Sequence, residues 1–408
     1  MKPTRRQFVA ASAALSVPIL LGARFAHANT EIVVGGVYDI SGPLQQFGEA
    51  KANMLRFAVE ETNAAGGLLG RPVKLVIYDT QSNVPLYSQY GQRLALNDKA
   101  AVVHGGVLSA AREVMRPIMR RANVPYFYNM RYEGGVCDRN TVITGTTPTQ
   151  SLQLMIPWAI KEFGPKIYVL GPDYNFGQIT EKWIEKLAKE NGGQVVGKEL
   201  FPLDAANFSA TISNIQRAQP DFIFNSFVGP AHASFYTQWA AAGMKGKMPM
   251  LSQTFGDGGE QLAMPIDATE GIYIMAHYLE ELDTPENQAF LKRYHARFGD
   301  KGYISNLFIG EYVGWKIYAA AVEKAGSTDP AAVARALAEG IAVDTPAGTI
   351  RLDPTTQHII ADMHLARFGK DGKFEILESW KDRMPVDTEG QCDLVANPRT
   401  NRQFEPSI

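Results

Sequence analysis

The sequence predicts an α/β protein of two lobes, each a doubly wound, mainly parallel sheet covered by helices on both faces. Three observations lead there. Short strand-type apolar runs alternate with helical periodicity from residue 32 onward, and the same alternation restarts near residue 150. Helices in both halves also stop at a glycine pair, Gly66-Gly67 in the first and Gly192-Gly193 in the second.

The first strand, 32–37, is a buried-type run that ends at the turn Ser41-Gly42-Pro43. A helix over about 48–63 follows, with Met54, Phe57, Ala58 and Val59 at helical spacing, and Ala65-Gly66-Gly67 stops it. Strand 73–78 reaches Asp79. Then come helix 85–97, strand 101–104, helix 110–121 and strand 125–128. The second run is helix 151–163 with strand 166–170, helix 179–191 with strand 194–199, helix 210–218 with strand 221–227, and helix 231–242 with strand 250–252. The similarity is architectural, with a period of about 120 residues, rather than that of a tandem array. The tail departs from the rule. Strand 271–277 leads to helices near 285–297, 305–325 and 330–340, then to β-segments around 349–352 and 360–368 with a hairpin turn at Lys370-Asp371-Gly372. Such a tail suits a chain that returns to the first lobe and then to the second, with crossings near 145–150, 275–282 and 343–350. The expected lobes are 29–148 with about 278–345, and 149–277 with about 346–408.

Residues 1–28 read as a leader. Thr4-Arg5-Arg6-Gln7-Phe8 has the pattern of a twin-arginine signal, an apolar run over 9–22 follows, and Ala26-His27-Ala28 supplies a small-x-small cleavage site. The run falls short of the roughly 20 apolar residues a spanning helix needs, which favours a signal over an anchor. It contains no cysteine to carry a lipid. The expected location is therefore the periplasm, with the mature chain starting at Asn29. Losing Lys2, Arg5, Arg6 and Arg24 leaves 36 of the 40 basic side chains against 42 acidic ones, a formal charge of −6. That balance argues against nucleic acid or an anionic membrane surface as partner, and no later stretch is apolar for long enough to insert in a membrane. A monomer is expected. The two cysteines, Cys137 and Cys392, allow one disulfide in an oxidising compartment or two buried thiols; spacing alone does not choose.

In open α/β sheets ligands sit beyond the carboxyl ends of the strands, at the N-termini of the helices that follow. Phe47 lies in the segment after the first strand, and Ser109 opens the helix after the third. Free N–H groups there, with the Ser109 hydroxyl, would form a donor cup for a carbonyl or carboxylate; Ser109 also suits a plain helix cap. Tyr128, Met130 and Arg131 follow the fourth strand, Tyr174 and Phe176 follow strand 166–170, and Asp257 follows strand 250–252. Aromatic faces among polar groups suit a small ligand that is partly apolar, although each ring would serve equally as core. Arg131 has three readings: it pairs with a ligand carboxylate, bonds Glu133, or sits in solvent as arginines usually do. The seven histidines show no HExxH spacing. No GxSxG elbow, Walker A loop or GxGxxG opens a helix after a strand, and the cysteines are too far apart for CxxC. No enzyme, metal or cofactor is expected.

The run from Val34 to Asp79, with Ser41-Gly42-Pro43 and Asn63-Ala64-Ala65-Gly66-Gly67-Leu68-Leu69-Gly70-Arg71, resembles the type I periplasmic binding proteins of ABC importers, in the branched-chain amino acid and amide class. Tyr132-Glu133-Gly134, Cys137, Thr144-Gly145, Pro148, Gln150, Asp173-Tyr174 and Gly192-Gly193 resemble its urea and short-chain-amide branch. The resemblance covers essentially the whole chain after the leader. It implies two Rossmann-like lobes on a three-segment hinge, capture of an amino acid, amide or urea-like compound by closure, and an ABC permease in the inner membrane as partner. It also implies ligand contacts at Ser109, Tyr128, Tyr174 and the position of Phe176, with Phe47 as a wall. A periplasmic sensor that signals to a membrane partner is the alternative it leaves open. Two departures stand out. Val107 replaces a tyrosine before the serine, and Met130 replaces a hydroxyl residue, with Arg131 beside it. A pocket that loses two hydroxyls and gains a guanidinium suits something other than a small neutral amide.

Overall fold

The structure is a computed structural model that describes residues 31–299, 302–386 and 391–406. The predicted leader lies outside the described residues. The first half of the fold runs β1 (Ile32–Tyr38), α1 (Gln45–Ala64), β2 (Val73–Asp79), α2 (Val84–Leu96), β3 (Val102–Gly105), α3 (Ser109–Ala122), β4 (Tyr126–Tyr128), β5 (Val136–Asp138) and β6 (Thr141–Ile143). The second runs α4 (Pro148–Phe163), β7 (Lys166–Pro172), α5 (Asn175–Glu190), β8 (Gln194–Phe201), α6 (Ser209–Ala218), β9 (Phe222–Asn225), α7 (Ala231–Ala241), β10 (Met250–Ser252), the single turns α8 (Glu260–Ala263) and α9 (Ile266–Thr269), and β11 (Tyr273–Ala276). The tail adds α10 (Pro285–Phe298), α11 (Asn306–Ala325), α12 (Pro330–Ala338), β12 (Ala342–Thr345), β13 (Gly348–Asp353), β14 (His358–Phe368), β15 (Phe374–Arg383) and β16 (Asn401–Gln403).

Local chemistry explains where these elements stop and start. At the end of α1 the Gly67 N–H bonds the Thr62 carbonyl at 2.9 Å. Gly67 has φ +83°, and a Cβ there would lie 2.1 Å from the Arg71 carbonyl oxygen, so only glycine closes that turn. Helix α4 begins a turn earlier than its apolar periodicity suggests. Thr147 and Gln150 form a reciprocal capping box, with Pro148 preset for the first turn.

The strands form one continuous order, β2-β1-β3-β4-β6-β14-β11-β10-β9-β7-β8. The β1–β6 side and the β7–β11 side are each parallel, as the βα alternation requires, and β14 joins them. It pairs with β6 at His358 and with β13 over 358–360, then runs antiparallel to β11 from His364 onward. Its Ile359 and Ala361 pack in the core around Val34, Leu55, Phe127 and Ile317. Its Met363, Leu365, Ala366 and Phe368 pack in the cores of the other half. The third passage between the halves therefore lies within β14, displaced from the expected 343–350, because β12 and β13 are hairpin strands of the first half.

The chain end returns to the first half as well. Cys137 and Cys392 form a disulfide with Cα atoms 5.6 Å apart, and β16 pairs antiparallel with β5. Residues 392–404 thus belong with the β1–β6 side, not with the second lobe as the sequence boundaries placed them. Among the described residues no helix is long and apolar enough to cross a membrane.

Candidate functional site

The carboxyl ends of the two parallel half-sheets face each other, and side chains meet across the gap. Gly258, beyond β10, sits so close to α1 that a Cβ on it would lie 2.9 Å from the Phe47 ring. Trp183 of α5 donates from Nε1 to the Glu133 carbonyl at 3.1 Å. Arg131 donates from Nη2 to Asp257 Oδ1 at 2.9 Å, and Asn306 Nδ2, at the start of α11, donates to the same oxygen at 3.1 Å. A groove of about 420 Å³ runs beside this contact, lined by Gln46 and Asn53 of α1, Gly258, Gly259, Ile304 and Phe308.

Two buried guanidinium–carboxylate pairs organise the space. The first centres on Glu133. Its Oε2 accepts from the Ser109 hydroxyl at 2.6 Å, and its Oε1 accepts from Arg112 at 2.7 Å, Gln403 at 2.6 Å and Asn175 at 3.3 Å. Arg112 spends its Nε on Glu113 at 2.8 Å and lays its guanidinium 4.7 Å from the Tyr132 ring centroid and 5.1 Å from that of Tyr128. Tyr128 donates its own hydroxyl to the Val107 carbonyl at 2.8 Å. Burial pushes the phenols of Tyr128 and Tyr174 up, so both remain neutral. Phe176 is buried with its ring centroid 6.1 Å from that of Tyr174. The Ser109 hydroxyl hydrogen is thus committed to Glu133, which leaves its oxygen to a ligand only as an acceptor. The N-cap residue Leu108 has no side-chain cap to offer, so the N–H groups of the first turn of α3 remain the donors at this end.

The second pair, Arg131–Asp257, is built differently. Arg131 is buried, not solvated, and its carboxylate partner is Asp257 rather than Glu133. The backbone that carries it is fixed from below. Lys51 and Glu311 form a buried ion pair at 2.8 Å, Lys51 also bonds the Asn129 carbonyl, and Thr144 donates to Asn129 Oδ1 at 2.7 Å. From the side, Gly145 packs so tightly that a Cβ would stand 2.0 Å from the Met130 carbonyl oxygen. Asp257 is fixed by its own turn, where Glu260 accepts from the Gly256 and Gly258 N–H groups at 2.8 and 2.9 Å. Burial opposes the Glu260 carboxylate, but His232, with Nδ1 3.0 Å from Oε1, and the backbone N–H groups outweigh it and hold its pKa below the usual value.

Around Arg131, buried polar atoms go unused. Its Nε and Nη1 and the Asn306 side-chain oxygen make no hydrogen bond, and at the end of β10 neither amide atom of Gln253 does. His277 lies beside Asn306, and neither of its ring nitrogens makes a well-formed bond. Gln253 and His277 follow the adjacent parallel strands β10 and β11, so both stand at strand carboxyl ends. Burial drives the His277 imidazole down to about 4, and the Asn306 contact only partly opposes this, so the ring is neutral at physiological pH. Burial also pushes the Asp257 carboxyl up to about 7, with Glu260 adding to the rise and Arg131 countering it. Buried polar groups in folded proteins are almost always paired; single unpaired atoms occur elsewhere in this molecule, but here those of Arg131, Asn306 and His277 lie together.

Of the residues singled out from the sequence, Arg131, Asp257, Met130 and Phe47 gather at this second end. Ser109, Tyr128, Tyr174 and Phe176 gather around Glu133. The structure adds Gln253, His277, Asn306 and Arg112. His277 ends a predicted strand and Gln253 directly follows one, so both were within reach of the strand-end rule. Arg112 lies a turn into α3 and Asn306 opens a helix that follows α10 rather than a strand, so that rule passes over both.

The description "Periplasmic binding protein" belongs to the family model that matches residues 31–373, and the chain belongs to that family. Among its curated relatives is Leu/Ile/Val-binding protein homolog 7 of Brucella suis biovar 1, 27% identical over 357 residues, which cover 82% of this chain and 86% of the relative. Among solved structures, the solute-binding protein of an ABC transporter from R. palustris in complex with 4-hydroxybenzoate superposes with a TM-score of 0.79 at 24% identity, over 89% of this chain and all of the other. An amino acid ABC transporter substrate-binding protein from Pseudomonas fluorescens Pf-5 gives 0.78 at 23% identity, over 90% and 99%. The fold is that of the type I periplasmic binding proteins.

Proposed function

We propose that this periplasmic binding protein is the solute-binding component of an ABC importer, taking up a small polar ligand between two lobes and presenting it, as a monomer, to an inner-membrane permease. The lobes are the two half-sheets with their helices. The hinge is the three passages between them: from β6 to α4, from β11 to α10, and β14 itself. One observation carries the reading. A set of buried, unpartnered polar atoms on Arg131, Asn306, Gln253 and His277 lies where the strand carboxyl ends of both halves meet. Phe47 and Met130 wall that end; Ser109, Tyr128, Tyr174 and Phe176 form the other wall, and Asp257 closes over Arg131 from the second lobe. Closure buries the ligand in a dry cleft, where each hydrogen bond strengthens, and shifts the population to the form the permease reads. The leader fits this role: a twin-arginine signal cut near Ala28 would deliver the folded chain to the periplasm.

The relatives supply ligand classes to try, since their names point to Leu, Ile and Val, to an amino acid and to 4-hydroxybenzoate. The test is a thermal-shift screen of the mature protein against amino acids, aromatic acids, short amides and urea. A ligand at 100 times its Kd should stabilise the protein by about 2.7 kcal/mol. Small-angle scattering with the best binder should show a smaller radius of gyration. A binder whose affinity is indifferent to Phe47→Ala and Phe176→Ala would place binding outside the cleft.

A further inference from the structure

We infer that the ligand carries a carboxylate, and that this group docks on the free edge of the Arg131 guanidinium. The inference rests on the proposal that the cleft between the half-sheets is the ligand site. Its starting point is a count of hydrogens. A guanidinium offers five N–H donors in two bidentate edges, one made by Nε with Nη2 and the other by Nη1 with Nη2. Asp257 takes a single hydrogen from Nη2, through one oxygen that it also shares with Asn306. Nε and Nη1 make no hydrogen bond. Whichever Nη2 hydrogen Asp257 uses, one complete two-donor edge is left over, and its geometry matches a carboxylate.

The leftover edge is not a by-product of packing. Arg112 is just as deeply buried in the same half of the molecule, yet it bonds Glu113 through Nε and both Glu133 and Gln403 through Nη2. Its one unbonded nitrogen belongs to a guanidinium lying against the rings of Tyr128 and Tyr132. Among the described residues no aromatic ring stacks on Arg131. Its position is also rigid, because the Lys51–Glu311 pair and Thr144 hold Asn129 and Gly145 wedges Met130. A preset fork with free donors favours an anion over a neutral molecule, since a neutral carbonyl fills one donor and leaves the others buried and unpaired. The charge balance points the same way. Burial disfavours ionised Asp257, so the Arg131 charge is only partly neutralised from within. Neutral His277, which feels the Arg131 charge, supplies a donor and an acceptor nearby for a further polar group on the same ligand.

The experiment compares charged probes with neutral isosteres of the same shape: benzoate against benzamide, 4-hydroxybenzoate against 4-hydroxybenzamide, and leucine against leucinamide, with acetamide and urea alongside. Thermal shift and calorimetry on the mature protein should show at least one carboxylate binding at least tenfold more tightly than its amide. Arg131→Gln should then weaken that carboxylate by 100-fold or more, and Arg131→Lys, which keeps the charge and loses the fork, by at least tenfold. Unchanged circular dichroism and ligand-free melting would show that both variants fold. Binding of benzamide, acetamide or urea with no carboxylate bound, no binding by any carboxylate probe, or full affinity in Arg131→Gln would overturn the inference. Neutral binding that is still lost in Phe176→Ala would sink the carboxylate and keep the cleft. Carboxylate binding untouched by Arg131→Gln, Phe47→Ala and Phe176→Ala alike would sink both.

Discussion

Arg112–Glu133 and Arg131–Asp257 are both buried ion pairs beside strand ends of the first half-sheet, and they are finished to different degrees. Four side-chain donors converge on Glu133, from α3, the first residue of α5 and β16, and Trp183 holds its backbone. Asp257 receives two, and the arginine opposite keeps most of its hydrogens. A completed network rigidifies a wall, whereas an incomplete one in a low-dielectric setting is costly unless something fills it. The proposed division follows this difference: the Glu133 end holds the first half-sheet, the tail and α5 together, and on the proposed reading the Arg131 end is where the ligand docks.

Perturbing the completed end should have the largest effect on stability. Glu133→Ala leaves Arg112 buried without its carboxylate and should cost about 3–5 kcal/mol, read as a lower denaturation midpoint. Disulfide removal by Cys137→Ser with Cys392→Ser should cost about 2–5 kcal/mol, because it frees a loop of 255 residues and with it the strand that delivers Gln403 to Glu133. A loss below about 1 kcal/mol in either would mean the Glu133 end is not the anchor. Trp183→Phe keeps the ring and removes one donor to the Glu133 carbonyl, so about 0.5–1.5 kcal/mol is expected from the same measurement.

The Arg131 end should show itself through pH. His277 has a folded pKa lowered to about 4 from 6.5, so its stabilising contribution is present above 6.5 and is lost as pH falls toward 4. Asp257 has a folded pKa raised to about 7 from 3.8, so its contribution is present below 3.8 and is lost as pH rises through about 7. Their slopes oppose each other, each at most about 1.4 kcal/mol per pH unit. Relative to wild type, His277→Gln should lose less stability on acidification from 6.5 to 4, and Asp257→Asn less on moving from pH 4 to 7. Parallel profiles for all three proteins, measured as Tm across that range, would mean these two groups are not held apart from water as described.

Much of the fold was legible because its signals are local. The parallel strands of both halves followed from apolar runs between helical periods, and the glycine pairs marked two helix ends. What the sequence reading missed is non-local or rests on a side chain that the apolar pattern does not register. The first turn of α4 depends on the Thr147–Gln150 capping box, a readable pattern that lies outside the apolar period. Strand β15 exposes most of its side chains and gains its pairing only from β14, so its apolar content is thin. The cysteine pair could not be settled from spacing, because the tail and β5 meet only through the tertiary fold. For Arg131 the sequence leaves three readings open and none of them is Asp257, because this partner, 126 residues downstream, is brought to it only when the half-sheets face each other. Ser109 was placed at the right helix start, but its bond to Glu133 depends on a loop whose course the sequence does not reveal.

The most direct test of the division between the two ends is calorimetry of one carboxylate that stabilises the wild type, titrated into Arg131→Gln and Gln403→Ala. Gln403 bonds Glu133 and the Gly134 carbonyl and belongs to the structural end. The expected result is a loss of 100-fold or more in affinity for Arg131→Gln, with Gln403→Ala within threefold of wild type although its melting point falls. Equal losses in the two variants, or a loss confined to Gln403→Ala, would contradict the assignment of the ligand to the Arg131 end.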